Sequence, residues 1–227
     1  MIPTLGEYAL DSWHVTIVEK QRYNNGRWHR NILIRGSADT FESTTQLTEA
    51  LDLLAAAPFA SDPVALRLRP GRSAAVRLRG FERTRCDNAV AGAFTLELEG
   101  VTPWEESDTS QSYEAPVTGN GLVCEITSGA SLASPLSLTF TAAGMVLLPR
   151  FGDGTRTLLY AGILPNESIL QINSAAGKVF LDGEDVSSQV SGSFLQTTPR
   201  TTEISFEADA EGTQTGTLQL SWRERWL

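Results

Sequence analysis

The second half of the sequence carries no helix signal at all. Short runs of alternating apolar and polar residues follow one another, separated by turn residues, and that pattern admits few folds. Many short strands at near-regular spacing make a β-sandwich or a barrel. The spacing predicts strands at Gly121–Ile126, Leu136–Thr141, Thr157–Tyr160, Ser168–Asn173, Lys178–Leu181, Glu203–Phe206 and Thr217–Trp226. Turns are expected at Gly152-Asp153-Gly154, Ala176-Gly177 and Asp182-Gly183. In the last run Leu218, Leu220, Trp222 and Trp226 share one face and Arg223 and Arg225 the other, so both tryptophans are expected in the core.

The first half mixes strands with one helix. Over Thr40–Ala57 the residues Leu47, Ala50, Leu51 and Leu54 fall at i, i+3, i+4 and i+7, a single apolar stripe. Ser43 with Gln46 forms a capping box and Pro58 stops the run, which places the helix at about 43–57. Asn31–Gly36 before it reads as a strand. After it the period becomes two: Val64, Leu66 and Leu68, then Val76 and Leu78, then Phe94, Leu96 and Leu98, with Pro70-Gly71 as a turn. Between Val101 and Ser112 a proline, an acidic pair and a polar run interrupt the strand pattern, as a linker would. Two domains are therefore expected, 1–107 and 108–227, the first mainly β with one α-helix, the second an antiparallel β-sandwich.

Motifs that carry chemistry are nearly absent from the sequence. There is no Gly-x-Ser-x-Gly elbow. Ala176-Gly177-Lys178-Val179 has Ile172 where a P-loop needs its earlier glycine and Val179 where Ser or Thr would bind Mg²⁺. His14, His29, Cys86 and Cys124 have no metal-ligand spacing. Asp153 and Asp182-Gly183-Glu184-Asp185 read as turn chemistry rather than a calcium loop. No catalytic residue, metal or cofactor is expected. The two cysteines read as free thiols. Met1-Ile2-Pro3-Thr4 lacks the basic and apolar regions of a signal peptide, and no apolar run approaches the length of a membrane helix.

The most visible oddity is a concentration of arginine. Arg67, Arg69, Arg72, Arg77, Arg79, Arg83 and Arg85 crowd one hairpin region, with Glu82 the only acid among them. A phosphate-binding patch is one reading. The net charge of −9 and the scarcity of interleaved aromatics favour the other, a polar sheet face that pairs with Glu97 and Glu99 or with a neighbouring subunit. Elsewhere, Phe151 beside Asp153 in the Gly152-Asp153-Gly154 turn, and Tyr113 in the linker, are the only aromatics of the second half expected to lie exposed. Phe151 with Asp153 is thus the one candidate ligand site.

Several segments, in order, resemble the C-terminal domain of phage distal tail proteins. Leu159–Asn173 is similar to a strand, a turn and an L-x-I-D strand, with Asn173 in the place of Asp. Gly177–Val186 resembles G-x-V-x-L-N-G-x-x-V. Ser191–Leu195 and Thr198-Pro199 resemble G-x-F-x-x-L-x-P-G, with Arg200 replacing the last glycine. Leu218–Leu227 is close to a terminal V-x-Y-R-x-R-W-L. The first half matches more loosely, its Leu96–Trp104 stretch resembling a D-P-Y-like corner from which Thr102 and Trp104 depart. The resemblance implies an N-terminal belt domain that closes a homo-hexameric ring and a galectin-like C-terminal sandwich facing outward. It implies a non-catalytic protein of the virion, at the tail tip, joining the tail tube protein to the tail hub and to receptor-binding parts. No membrane and no specific nucleic-acid binding is implied, beyond DNA passing through the ring. The competing class is a carbohydrate-binding module or the accessory domain of a glycosidase.

Overall fold

A computed structural model describes residues 2–38, 41–85 and 90–227, with Arg85 described by its backbone alone. Thr40, where the helical pattern begins, and Cys86 lie outside the described residues. The protein is mostly antiparallel β with one α-helix among the described residues. The chain falls into two compact units, one ending at Asp108 and the other spanning Thr109–Trp226.

In the first unit the strands are β1 (Thr4–Leu5), β2 (Tyr8–Ala9), β3 (His14–Asn24), β4 (Arg27–Ala38), β5 (Val64–Arg69), β6 (Arg72–Arg85), β7 (Gly92–Gly100) and β8 (Glu105–Ser107). They hydrogen-bond in the order β2-β1-β5-β6-β7-β4-β3, and β8 pairs with β6. Helix α1 (Thr44–Ala56) starts as the capping signal requires. Ser43 Oγ accepts the Gln46 backbone N–H at 3.2 Å, while the Gln46 side chain accepts the N–H of Glu42 rather than that of Ser43. Its stripe, Leu47, Leu51 and Leu54, is buried against Ile32, Ile34, Val64, Leu66, Val76, Phe94, Leu96 and Leu98. These are the alternate residues of the period-two runs, so one sheet face meets the helix and the other carries the polar set. Asn31–Gly36 within β4 is legible from its alternation, whereas its partner β3 lies at the sheet edge with a less regular pattern. The hairpin closes on Asn25 and Gly26, at φ 50° and 75°, the two left-handed positions of a type I′ turn.

The second unit is a two-sheet sandwich. One sheet runs in the order Glu184–Asp185, Lys178–Leu181, Ile169–Asn173, Ser137–Ala142, Gly216–Trp222 and Gln111–Val117. The other runs Gly121–Ser128, Arg200–Glu207, Arg150–Gly152, Thr157–Tyr160 and Val190–Gly192. Their inner faces meet through aromatic rings. Phe140 of the first sheet stacks on Phe206 of the second at 5.0 Å between centroids and meets Phe151 edge-on at 5.6 Å. The Asp182-Gly183 turn has both residues at positive φ, 50° and 89°, as expected of turn chemistry, and Asp182 Oδ1 accepts the Ile169 N–H at 2.8 Å. Two expectations are corrected here. Gln111–Val117 is a strand rather than linker, so Tyr113 sits in a sheet. The last run breaks after Trp222, so Trp222 is buried but Trp226 is only half-buried, its indole donating to the Gly129 carbonyl at 3.1 Å.

Candidate functional site

The arginines of β5 and β6 find carboxylates, but mostly not those that alternation along β7 suggests. In register Arg77 lies opposite Glu99, yet its Nε donates to Asp62 at 2.7 Å. A bulge between Leu78 and Gly80 swings Arg79 round to Glu99 instead. Glu97 is exposed beside Gly80 and lines an open groove of ≈350 Å³ with Lys20, Arg22 and Arg79. Arg67 pairs with Asp108 at 3.2 Å, and Arg83 with Asp52 of α1. Arg72 is engaged as well. These pairs are largely exposed, where an ion pair contributes about 0–1 kcal/mol, so they set the character of the surface more than they hold the fold.

Arg69 reaches the centre of a different arrangement, which alternation alone does not reveal. Arg30 is 1% exposed. Its Nε donates to Glu19 at 2.9 Å and its Nη2 to Glu105 at 2.9 Å. Arg69 donates to the same two carboxylates. Burial pulls the Arg69 guanidinium down, but Glu105 and Glu19 outweigh it and hold it above its ordinary value. Two cations and two anions from β3, β4, β5 and β8 thus neutralise one another beneath the base of the β3–β4 hairpin. Arg30 Nη1 has no hydrogen-bond partner among the described residues. One signal for this site was available: Arg30 is in phase with the buried Ile32 and Ile34, an arginine on the core face of a strand, which must bring its own acids. The acid it brings, Glu105, lies in the stretch whose composition reads as linker.

The candidate ligand site in the second unit is not exposed. Phe151 is 0% exposed and belongs to the ring cluster between the sheets. Asp153 is buried too. It accepts the backbone N–H groups of Thr155, Arg156 and Gln196 and pairs with the Arg156 guanidinium at 3.2 Å, so its oxygens are spent on closing the turn. The aspartate at residue 153 marks an Asx-type turn, and the phenylalanine before it falls on the inward phase of the strand Arg150–Gly152. Among the described residues no group of three or more His, Cys, Asp or Glu could hold a metal ion. Cys124 is a buried free thiol.

No protein-family model matches the chain, and no curated protein matches it. Among solved structures it is similar to the Dit protein (gp 19.1) of phage SPP1, described as a paradigm of the hub adsorption apparatus of phages that infect Gram-positive hosts. The TM-score is 0.69 at 12% sequence identity, over 100% of this chain and 99% of that one. Both units therefore share their fold with that phage protein from end to end.

Proposed function

We propose that this protein is a non-catalytic structural component of a phage or phage-derived tail tip, resident in the virion. In this reading its first unit closes a homo-hexameric ring that joins the tail tube protein to the tail hub. The second unit, a galectin-like sandwich, faces outward and meets receptor-binding parts. The observation that carries the reading is the end-to-end fold likeness to a phage hub protein, both units in the same order with neither chain left over. The ordered C-terminal motifs support it independently. So does the Arg-rich outer face of the first unit, where Arg67, Arg77 and Arg79 stand alongside Glu97 and Glu99, with Arg69 and Arg72 flanking the adjoining β5–β6 turn. These arginines are mostly paired already, but their exposed pairs can exchange partners with a neighbouring copy at little cost.

The carbohydrate-binding alternative needs an exposed aromatic platform with convergent polar groups; Phe151 is buried and cannot serve, which leaves Tyr113, 43% exposed, as the aromatic that reading would have to use. Native mass spectrometry and negative-stain imaging of the purified full-length protein decide between the two classes. A closed six-fold ring is expected. A chain that remains monomeric at high micromolar concentration refutes the ring.

A further inference from the structure

The β3–β4 hairpin outruns the sheet it belongs to. β3 and β4 pair from His14↔Ser37 to Asn24↔Arg27, but β7 accompanies β4 only from Ala38 to Asn31. Residues 21–30 therefore form a two-stranded arm, and Asn25-Gly26 stands at its tip. This dipeptide suits a type I′ turn. It is also the pair in which a backbone nitrogen most readily attacks the preceding side chain, because glycine has no Cβ to shield that nitrogen.

Two such dipeptides occur in the sequence, Asn25-Gly26 and Asn120-Gly121, and the fold treats them differently. At the arm tip Asn25 and Gly26 are both exposed, and a Cβ built on Gly26 would meet no atom within 4 Å. Among the described residues neither the Asn25 side chain nor the Gly26 N–H has a hydrogen-bond partner. Asn120 is clamped instead. Its Oδ1 accepts the Ala208 N–H at 2.8 Å and its Nδ2 donates to the Ala208 carbonyl at 3.0 Å. Turning that amide onto the Gly121 nitrogen breaks both bonds. Charge separates the sites further. The attacking nitrogen must shed its proton, so the step passes through an anion. Arg27 follows Gly26 directly, and Arg22 shares a face of the arm with Asn24 and its partner Arg27. No acidic residue lies between residues 20 and 30. Fixed positive charge beside a developing anion lowers the barrier.

We propose that Asn25 is a site of spontaneous deamidation, a one-way modification built into the arm, and that Asn120 is protected from it. Hydroxide takes the proton of the Gly26 nitrogen, which then bonds to the side-chain carbonyl carbon of Asn25. The bond from that carbon to Nδ2 breaks, and Nδ2 takes up a proton from water and leaves as ammonia. Water opens the resulting cyclic imide at either carbonyl, so that residue 25 becomes aspartate or isoaspartate. Both products place a negative charge at the tip. Isoaspartate also adds a methylene to the main chain of a two-residue turn that has no slack for it, which opens the Asn24↔Arg27 pair and the Tyr23–Trp28 ring contact above it. The modification needs no enzyme and is independent of the ring reading.

The test incubates the full-length protein at mildly alkaline pH and follows both dipeptides by peptide mass spectrometry. Asn25 is expected to convert on the order of 30-fold faster than Asn120, where two side-chain hydrogen bonds must break first. Both aspartate and isoaspartate should be recovered, at a rate that rises with pH. In urea, where both dipeptides are unfolded, the ratio is expected to fall toward one. Asn25→Asp carries the new charge in an Asp-Gly turn of the same type, so hydrogen exchange over residues 21–30 should be faster in the aged protein than in that variant. Conversion of Asn25 no faster than that of Asn120 in the folded protein overturns the proposal. A ratio unchanged in urea overturns it too, since the neighbouring sequence and not the fold would then set the difference. Exchange in the aged protein equal to that of Asn25→Asp overturns the opening of the turn.

Discussion

Replacing Arg30 by methionine should destabilise the first unit by about 3 kcal/mol, the low end of the 3–5 kcal/mol cost of breaking a buried ion pair from one side. The low end follows from the geometry. Arg30 contacts both Glu19 and Glu105, and the Glu105 side chain is 3% exposed against 23% for Glu19. Removal of Arg30 strands one carboxylate in the interior and one near the surface. Arg69, about half exposed, still reaches both and offsets part of the loss. Methionine keeps the volume, so the cavity contribution is small. The same reasoning predicts that Arg30→Met combined with Glu105→Leu recovers stability to within about 1 kcal/mol of wild type, because replacing both buried partners by apolar groups removes the desolvation cost along with the attraction. The assay is urea unfolding read by peptide-level hydrogen exchange, which follows residues up to 108 separately from residues 109–226, since a two-unit chain need not unfold in one step. The effect should persist in 1 M salt, where exposed pairs are screened and this one is not. A loss below about 1 kcal/mol for Arg30→Met, or a double variant no better than the single one, would refute the argument that desolvated charge dominates at this site.

Further expectations concern packing and titration. Phe151→Ala should cost about 3–5 kcal/mol in thermal unfolding of the second unit, as removal of a core ring does, and a glycan array should show no sugar binding lost with it. Gly36→Ala should destabilise the first unit by about 1–3 kcal/mol through overpacking, since a Cβ there would sit 2.2 Å from the Phe94 ring; a neutral result in denaturant unfolding would mean that Phe94 can move. Burial pushes the Cys124 thiol and the Tyr160 phenol above their ordinary values. The unfolded chain therefore loses these protons first, so their contribution is complete below the ordinary thiol range and is lost as pH climbs through the raised folded values. The urea midpoint of the second unit should fall between neutral and strongly alkaline pH, and Cys124→Val should flatten the first part of that fall.

Local periodicity determined much of this protein. The helix is written in Leu47, Leu51 and Leu54 with Ser43 as its cap, because a cap and a stripe are decided within a few residues. The inward phase of β5, β6 and β7 and of most strands in the sandwich is likewise legible, since alternate side chains must face opposite sides of a sheet. Asn25-Gly26 is a hairpin signal in plain sight, and Arg30 in phase with Ile32 and Ile34 announces a buried charge. Tertiary structure alone decided the rest. Which acid meets which arginine depends on strand order and on a single bulge that turns Arg79, rather than Arg77, toward Glu99. That Glu105 belongs to Arg30 depends on β8 returning to the sheet after a stretch whose composition reads as linker. Whether Phe151 stacks in a core or stands at a loop depends on which sheet lies opposite it. These are contacts between residues far apart in the chain, and alternation assigns a side chain to a face without naming what that face will meet.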